Sequence, residues 1–183
     1  MTDPVLFVLS VLTLLCTPGP TNTLLATSGA VVGVRRSLPL LLAELVGYLF
    51  AILTIRLALK PFFETPSISV GFKVLVALYL AYTAIKLWTV PAATARSVVR
   101  TWNVFATTLL NPKAFVFAIG IIPNDAIHVA PYFAAFSTCV TTVGFLWLVF
   151  GRVAGAQFGL LVPRIASVAL GGFASLIIVS IVS

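Results

Sequence analysis

The chain has 183 residues, of which 61% are apolar and only 8% are charged, and its mean hydropathy is +1.18. A water-soluble domain keeps roughly a quarter of its residues charged to solvate its surface, so this composition excludes a soluble globular fold. The net charge of +7 is scattered between apolar runs and is not gathered on one basic face. This distribution argues against nucleic-acid binding and is typical of the loops of membrane proteins.

Long apolar segments predict an all-α membrane protein with six transmembrane helices. About 20 mainly apolar residues are needed to cross a hydrocarbon core about 30 Å thick, and continuous runs of this length favour helices over barrel strands. The predicted spans are 5–32 with an interruption, 38–59, 68–88, 104–122, 131–150 and 160–182. No basic residue precedes the first run and Pro18-Gly19-Pro20 follows it, so we predict a retained span and not a cleaved signal peptide.

The connection at 89–102 is the longest and most polar, and it divides the chain into halves of three spans each. We predict one transmembrane domain, residues 1–183, whose halves at about 1–90 and 101–183 are joined by a cytoplasmic loop at 91–100. Lys and Arg concentrate at one set of span ends, which the positive-inside rule predicts to be cytoplasmic. These residues are Arg35, Arg36, Lys86, Arg96, Arg100, Arg152 and Arg164, against Arg56, Lys60 and Lys73 on the other side. Both termini are therefore predicted to lie outside the cytoplasm.

Matched interruptions occur in the first span of each half. Because each half has three spans, the second half crosses the membrane in the opposite sense to the first, which predicts two inverted three-helix repeats. A proline within a span removes a backbone N–H and leaves carbonyls unpaired, which is tolerated at membrane depth only where they line protein or water. One such break is explained by helix packing, whereas two at equivalent positions predict a substrate site. The predicted substrate-binding residues are Pro18, Gly19, Pro20, Thr21 and Asn22 in the first break and Asn111, Pro112 and Lys113 in the second.

Charged and polar side chains near the breaks suit a ligand that carries a carboxylate. Lys113 places a cation within a span at a cost of about 3 kcal/mol, unless its helix starts late and the side chain snorkels. Glu44 is the acidic residue well inside a span, and with the Tyr48 hydroxyl it is the candidate for proton coupling. An ion pair with Arg35 or Arg36 explains Glu44 equally well, and core packing explains Tyr48.

The sequence does not provide the residues that a membrane-embedded enzyme needs, such as paired His and carboxylates or a Ser with a base. His128 lies with Asp125 in a predicted outer loop and receives no role. Cys16 and Cys139 lack the spacing of a metal site or a disulfide framework and are interpreted as packing residues. We therefore predict a non-enzymatic protein without a bound metal or cofactor.

Three segments, PGPTNTLL at 18–25, GVRR at 33–36 and LLNPKA at 109–114, resemble the lysine exporter and homoserine/threonine resistance family of amino-acid exporters. The resemblance covers essentially the whole chain. It implies a multi-pass protein of the bacterial inner membrane that exports amino acids or related metabolites, driven by the proton gradient. The chain departs from the family at Thr21, where Asn is common, and at Gly47-Tyr48, where a Gly-Asp pair is often found.

These features together predict a secondary transporter whose halves rock around a midplane site formed by the two breaks. Its expected partners are a small-molecule substrate and the lipid bilayer. Small-residue spacings such as Gly151 to Gly155 suit close helix contact within or between protomers, which leaves a homodimer open. The alternative is a structural or pore-forming membrane protein, which would not need matched breaks.

Overall fold

The computed structural model describes residues 3–59, 66–89, 98–123, 129–155 and 161–182. Within these ranges every regular element is a helix, which confirms the all-helical prediction. The helices are α1 (Pro4–Cys16), α2 (Pro20–Val32), α3 (Val34–Thr54), α4 (Pro66–Trp88), α5 (Thr101–Leu109), α6 (Pro112–Phe115), α7 (Val129–Ala154) and α8 (Leu161–Val182). Two π-helical turns, Ile55–Leu59 and Val116–Ile121, continue α3 and α6.

Several helices have the length and apolar character needed to cross a membrane. In the described ranges Val34–Ala58 and Val129–Ala154 qualify alone, and the number rises from 2 to 4 when each of two bent helix pairs counts as one span. Large apolar side chains such as Leu78 and Val153 are exposed on the outside of these helices, whereas buried positions include charged side chains. A soluble protein distributes these groups in the opposite way, so the chain is an α-helical membrane protein.

Both predicted helix breaks are present. The axis bends by 64° between the end of α1 at Cys16 and the start of α2 at Pro20, and by 49° between the end of α5 at Leu109 and the start of α6 at Pro112. A proline lies in the first turn of each new helix, where its missing N–H would have no helical partner anyway. The prolines therefore end one helix and start the next, as the sequence predicts.

Helices α3 and α7 occupy the centre of the packing. α1 and α2 lie against α7, α5 lies against α3, and α4 pairs with α8, which touches α2. Helices α2 and α7 cross closely, because a Cβ on Gly151 would collide with the backbone carbonyl of Ala26. A Cβ on Gly29 would likewise collide with the carbonyl of Leu148. Glycine is needed at both positions for the two backbones to approach this closely.

Some sequence predictions fall outside the described ranges. They are most of the loop at 91–100, the pair His128 and Asp125, and the charged residues Lys60 and Arg96. Of the two cysteines, Cys139 is buried as a packing residue should be, whereas Cys16 is exposed at the end of α1. The interpretation of Cys16 as a packing residue is therefore wrong, because its side chain is exposed.

Candidate functional site

The first break is held in place by the Asn22 side chain, which is buried in α2. Its amide nitrogen donates to the backbone carbonyl of Leu15 at 2.8 Å and to that of Thr17 at 3.0 Å. Carbonyls at the end of a helix have no intrahelical partner, and Asn22 donates a hydrogen bond to two such carbonyls. The amide N–H groups of Asn22 therefore fix the shape of the break and do not point toward a ligand.

Lys113 brings the second break against the first. Its side chain is only 5% exposed, and its ammonium group donates to the Thr17 carbonyl, across a sequence separation of 96 residues. A Cβ added to Gly19 would lie 3.4 Å from both Cε and Nζ of Lys113. The ammonium group thus lies where α1 ends and α2 begins. The cation of the second break therefore contacts the first break directly.

The start of α2 adds a second positive feature beside Lys113. Gly19 occupies the N-cap position, and no side-chain hydrogen bond caps the helix in the part of the chain that the structure describes. The first N–H groups of a helix carry a partial positive charge and favour an anion, above all where water is scarce. A buried ammonium group next to an uncapped helix N-terminus is a site of positive potential inside a membrane protein.

Asn111 connects the second break to the first through hydrogen bonds. Its Oδ1 accepts from the backbone N–H of Lys113 at 3.1 Å and caps α6, while its Nδ2 donates to Thr21 Oγ1 at 3.1 Å. The Thr21 and Thr108 hydroxyls are 3.2 Å apart, and Thr108 Oγ1 donates to the Val104 carbonyl at 2.8 Å. Because Thr108 uses its proton in that bond, Thr21 donates to Thr108, and the chain of hydrogen bonds runs in one direction from Asn111.

Tyr48 joins α3 to the same network. Asn111 Nδ2 donates to the Tyr48 hydroxyl at 3.3 Å. The Tyr48 ring packs edge to face on Phe117 and Phe136, with centroid distances of 5.7 and 5.9 Å. These rings fix the position of the hydroxyl, so Tyr48 is both a core residue and a member of the polar network. The packing interpretation of Tyr48 is confirmed, and its role in proton coupling stays a prediction.

Glu44 lies one helical turn before Tyr48 and is 2% exposed. Its Oε2 has no hydrogen-bond partner among the described residues, and it lies so close to Gly144 of α7 that a Cβ there would collide with it. Arg35 and Arg36 are exposed near the start of α3, about 12 to 14 Å earlier along the helix axis at 1.5 Å per residue. An ion pair with either arginine therefore does not account for the Glu44 carboxyl group.

An unpartnered carboxylate oxygen in such a place costs several kcal/mol of lost solvation, at roughly 2 to 7 kcal/mol for an unbonded polar group. Protonation or a nearby cation removes most of this cost. Tyr48, one turn further along the same helix, accepts a hydrogen bond from Asn111, which lies two residues before Lys113. Glu44 is therefore a buried carboxyl group whose Oε2 is not satisfied by the described residues.

Sequence reasoning missed the role of Arg56, which it counted only toward the charge bias of the outer loops. The Arg56 guanidinium donates to the backbone carbonyls of Ile122 at 2.8 Å and Pro123 at 2.7 Å, and to that of Ala118 at 3.4 Å. It therefore ties the π-helical end of the second broken helix to the end of α3. An Arg at a span end is common, and its sequence position carries no sign of partners 62 to 67 residues away.

The residues predicted for the substrate site thus lie together. Gly19, Pro20, Thr21, Asn22, Asn111 and Lys113 are all buried, and Pro18 and Pro112 are half-buried beside them. No group of three or more His, Cys, Asp or Glu that could hold a metal ion occurs within the described ranges.

Fold and site together define an α-helical membrane protein with a polar centre buried between two broken helices. Comparison of the chain with protein-family models, with curated proteins and with solved structures gives no match. Its own geometry is therefore the basis for a functional interpretation.

Proposed function

We propose that this chain is a secondary active exporter of amino acids or related small metabolites. The observation that carries the proposal is the buried Lys113 ammonium group, which lies at the junction of two broken helices next to the uncapped N-terminus of α2. A cation at membrane depth is costly and is retained where it serves a ligand or an ion pathway. Broken helices with free backbone groups are the usual place for substrate in such transporters.

An α-amino carboxylate complements this junction on both sides. Its carboxylate group pairs with the Lys113 ammonium group and the first N–H groups of α2, where the potential is positive. Its own ammonium group takes the place of Lys113 at the Thr17 carbonyl, at the negative end of α1. The ligand exchanges partners with the protein, so no buried charge is left unpaired when it binds.

The proposed architecture is six spans arranged as two inverted three-helix repeats. In this arrangement α1 corresponds to α5, α3 to α7 and α4 to α8. Two packing relations support it. The contact of α5 with α3 matches the contact of α1 with α7, and α4 and α8, which end the two halves, pair with each other. These are the contacts expected when the halves are related by a two-fold axis in the membrane plane. In this proposal the chain lies in the bacterial inner membrane with both termini outside, and the halves rock around the breaks.

Glu44 is the proposed proton carrier of the exporter. Its unpartnered Oε2 supports this role, as does the path from its helix through Tyr48 to Asn111 at the second break. A substrate that pairs with Lys113 changes the field at Glu44 and with it the balance between the protonated and the charged carboxyl group. Proton movement and substrate movement are coupled through this one electrostatic link.

The decisive experiment measures efflux of labelled amino acids from preloaded cells that express the chain or the Lys113→Ala variant at equal membrane abundance. The matched control is Lys86→Ala, which removes an exposed Lys from the last turn of α4. We expect saturable efflux with the intact chain and the control, and loss of efflux with Lys113→Ala. Normal efflux from Lys113→Ala would contradict the site, and efflux that never saturates would indicate a pore.

A further inference from the structure

An apolar cavity of about 80 Å³ adjoins the junction of the two breaks. Pro18, Pro112 and Lys113 form its inner wall, so both broken helices border it. The outer wall comes from the α4–α8 pair, which contributes Val76, Leu80 and Leu170. Apart from Lys113, every side chain that lines the cavity is apolar.

The position of the cavity is that of a side-chain subsite. An amino acid held with its carboxylate on Lys113 and its ammonium group at Thr17 has its side chain within a few bonds of that wall. Its outer wall belongs to the α4–α8 pair, in which α8 touches α2.

The size and chemistry of the cavity restrict its occupant. A dry cavity of about 150 Å³ holds benzene, so a space of about half that volume suits a branched group of three or four carbons. A charged or amide side chain would lose its solvation there, because Lys113 is the one polar side chain in the wall and is already paired with the ligand carboxylate in the proposed binding mode. An indole ring would not fit into the space without displacing wall residues.

From these observations we infer that the cavity is the side-chain subsite of the exporter, and that amino acids with branched aliphatic side chains are its preferred substrates. This inference rests on the proposed export function and narrows its substrate class. Lys113 and the breaks recognise the groups that all amino acids share, and the cavity beside Val76 and Leu80 selects among the side chains.

The test compares efflux of leucine, alanine, phenylalanine and lysine from proteoliposomes that contain the purified protein. The intact chain should export leucine faster than lysine or phenylalanine. Val76→Phe fills the cavity and should lower the ratio of leucine to alanine efflux by about tenfold, the order expected when a pocket loses room for a methylene or more. Val74→Phe is the matched control, since Val74 is exposed on the same helix, and should leave the ratio unchanged.

A second variant keeps the test decisive if Val76→Phe does not reach the membrane. Leu80→Ala enlarges the cavity and should raise the ratio of phenylalanine to leucine efflux, whereas Leu78→Ala, at a position that is 66% exposed, should not. Unchanged ratios in both cavity variants, or faster export of lysine than leucine by the intact chain, would overturn the inference and leave the export function standing. An intact chain that exports no amino acid would instead overturn the proposed function.

Discussion

Replacing Gly151 with Ala tests the close crossing of α2 and α7. A methyl group at this position meets the backbone carbonyl of Ala26, which cannot rotate away as a side chain does. Such overpacking costs up to about 3 kcal/mol, and the better helix propensity of Ala returns about 1 kcal/mol. The net loss is about 2 kcal/mol, which lowers the melting temperature of a chain of this size by about 4 to 8 °C.

Gly172→Ala is the matched control for this change, because a Cβ at Gly172 of α8 meets nothing within 4 Å. Only the propensity term then applies, so we expect this variant to be more stable by up to about 1 kcal/mol. Thermal unfolding of the detergent-purified variants provides the measurement. We expect Gly151→Ala to lower the melting temperature and Gly172→Ala to raise it. Equal shifts of the melting temperature in the two variants would refute the close crossing of α2 and α7.

Two further predictions concern charged residues. Arg56→Leu removes hydrogen bonds from a charged donor to three carbonyls and should cost about 3 kcal/mol of unfolding free energy. Arg152→Leu, at an exposed position, should change it by less than about 0.5 kcal/mol, and similar losses for both would contradict the capping role. Glu44→Gln should make efflux independent of external pH if Glu44 carries the proton, while Asp3→Asn, an exposed control, should keep the dependence. If efflux by Glu44→Gln depends on pH as efflux by the intact chain does, Glu44 does not carry the proton and its role is structural.

Local chemistry explains what the sequence predicts well. Pro18, Pro20 and Pro112 break or start helices because of their own rings and missing N–H groups, whatever surrounds them. Asn111 caps α6 because its side chain reaches a backbone N–H two residues ahead. Both breaks are therefore found at the predicted residues.

Contacts between distant parts of the chain were beyond reach of the same reasoning. Asn111 meets Thr21 at a separation of 90 residues, and Arg56 meets Pro123 at a separation of 67. Helical periodicity states which residues share a face of one helix and does not state which face meets another helix. For this reason the sequence grouped Arg56 with the topology charges and left Glu44 between two interpretations.

The Thr17 carbonyl depends both on a local effect of the sequence and on a contact between distant residues. It is freed by Pro18, a local effect, and it accepts from Asn22 within the first break and from Lys113 in the second. A ligand ammonium group that displaces Lys113 from this carbonyl removes one of the hydrogen bonds between the halves, while the bond from Asn22 keeps the break intact. In the proposed exporter, substrate binding itself thus supplies the differential free energy that a change between two conformations requires.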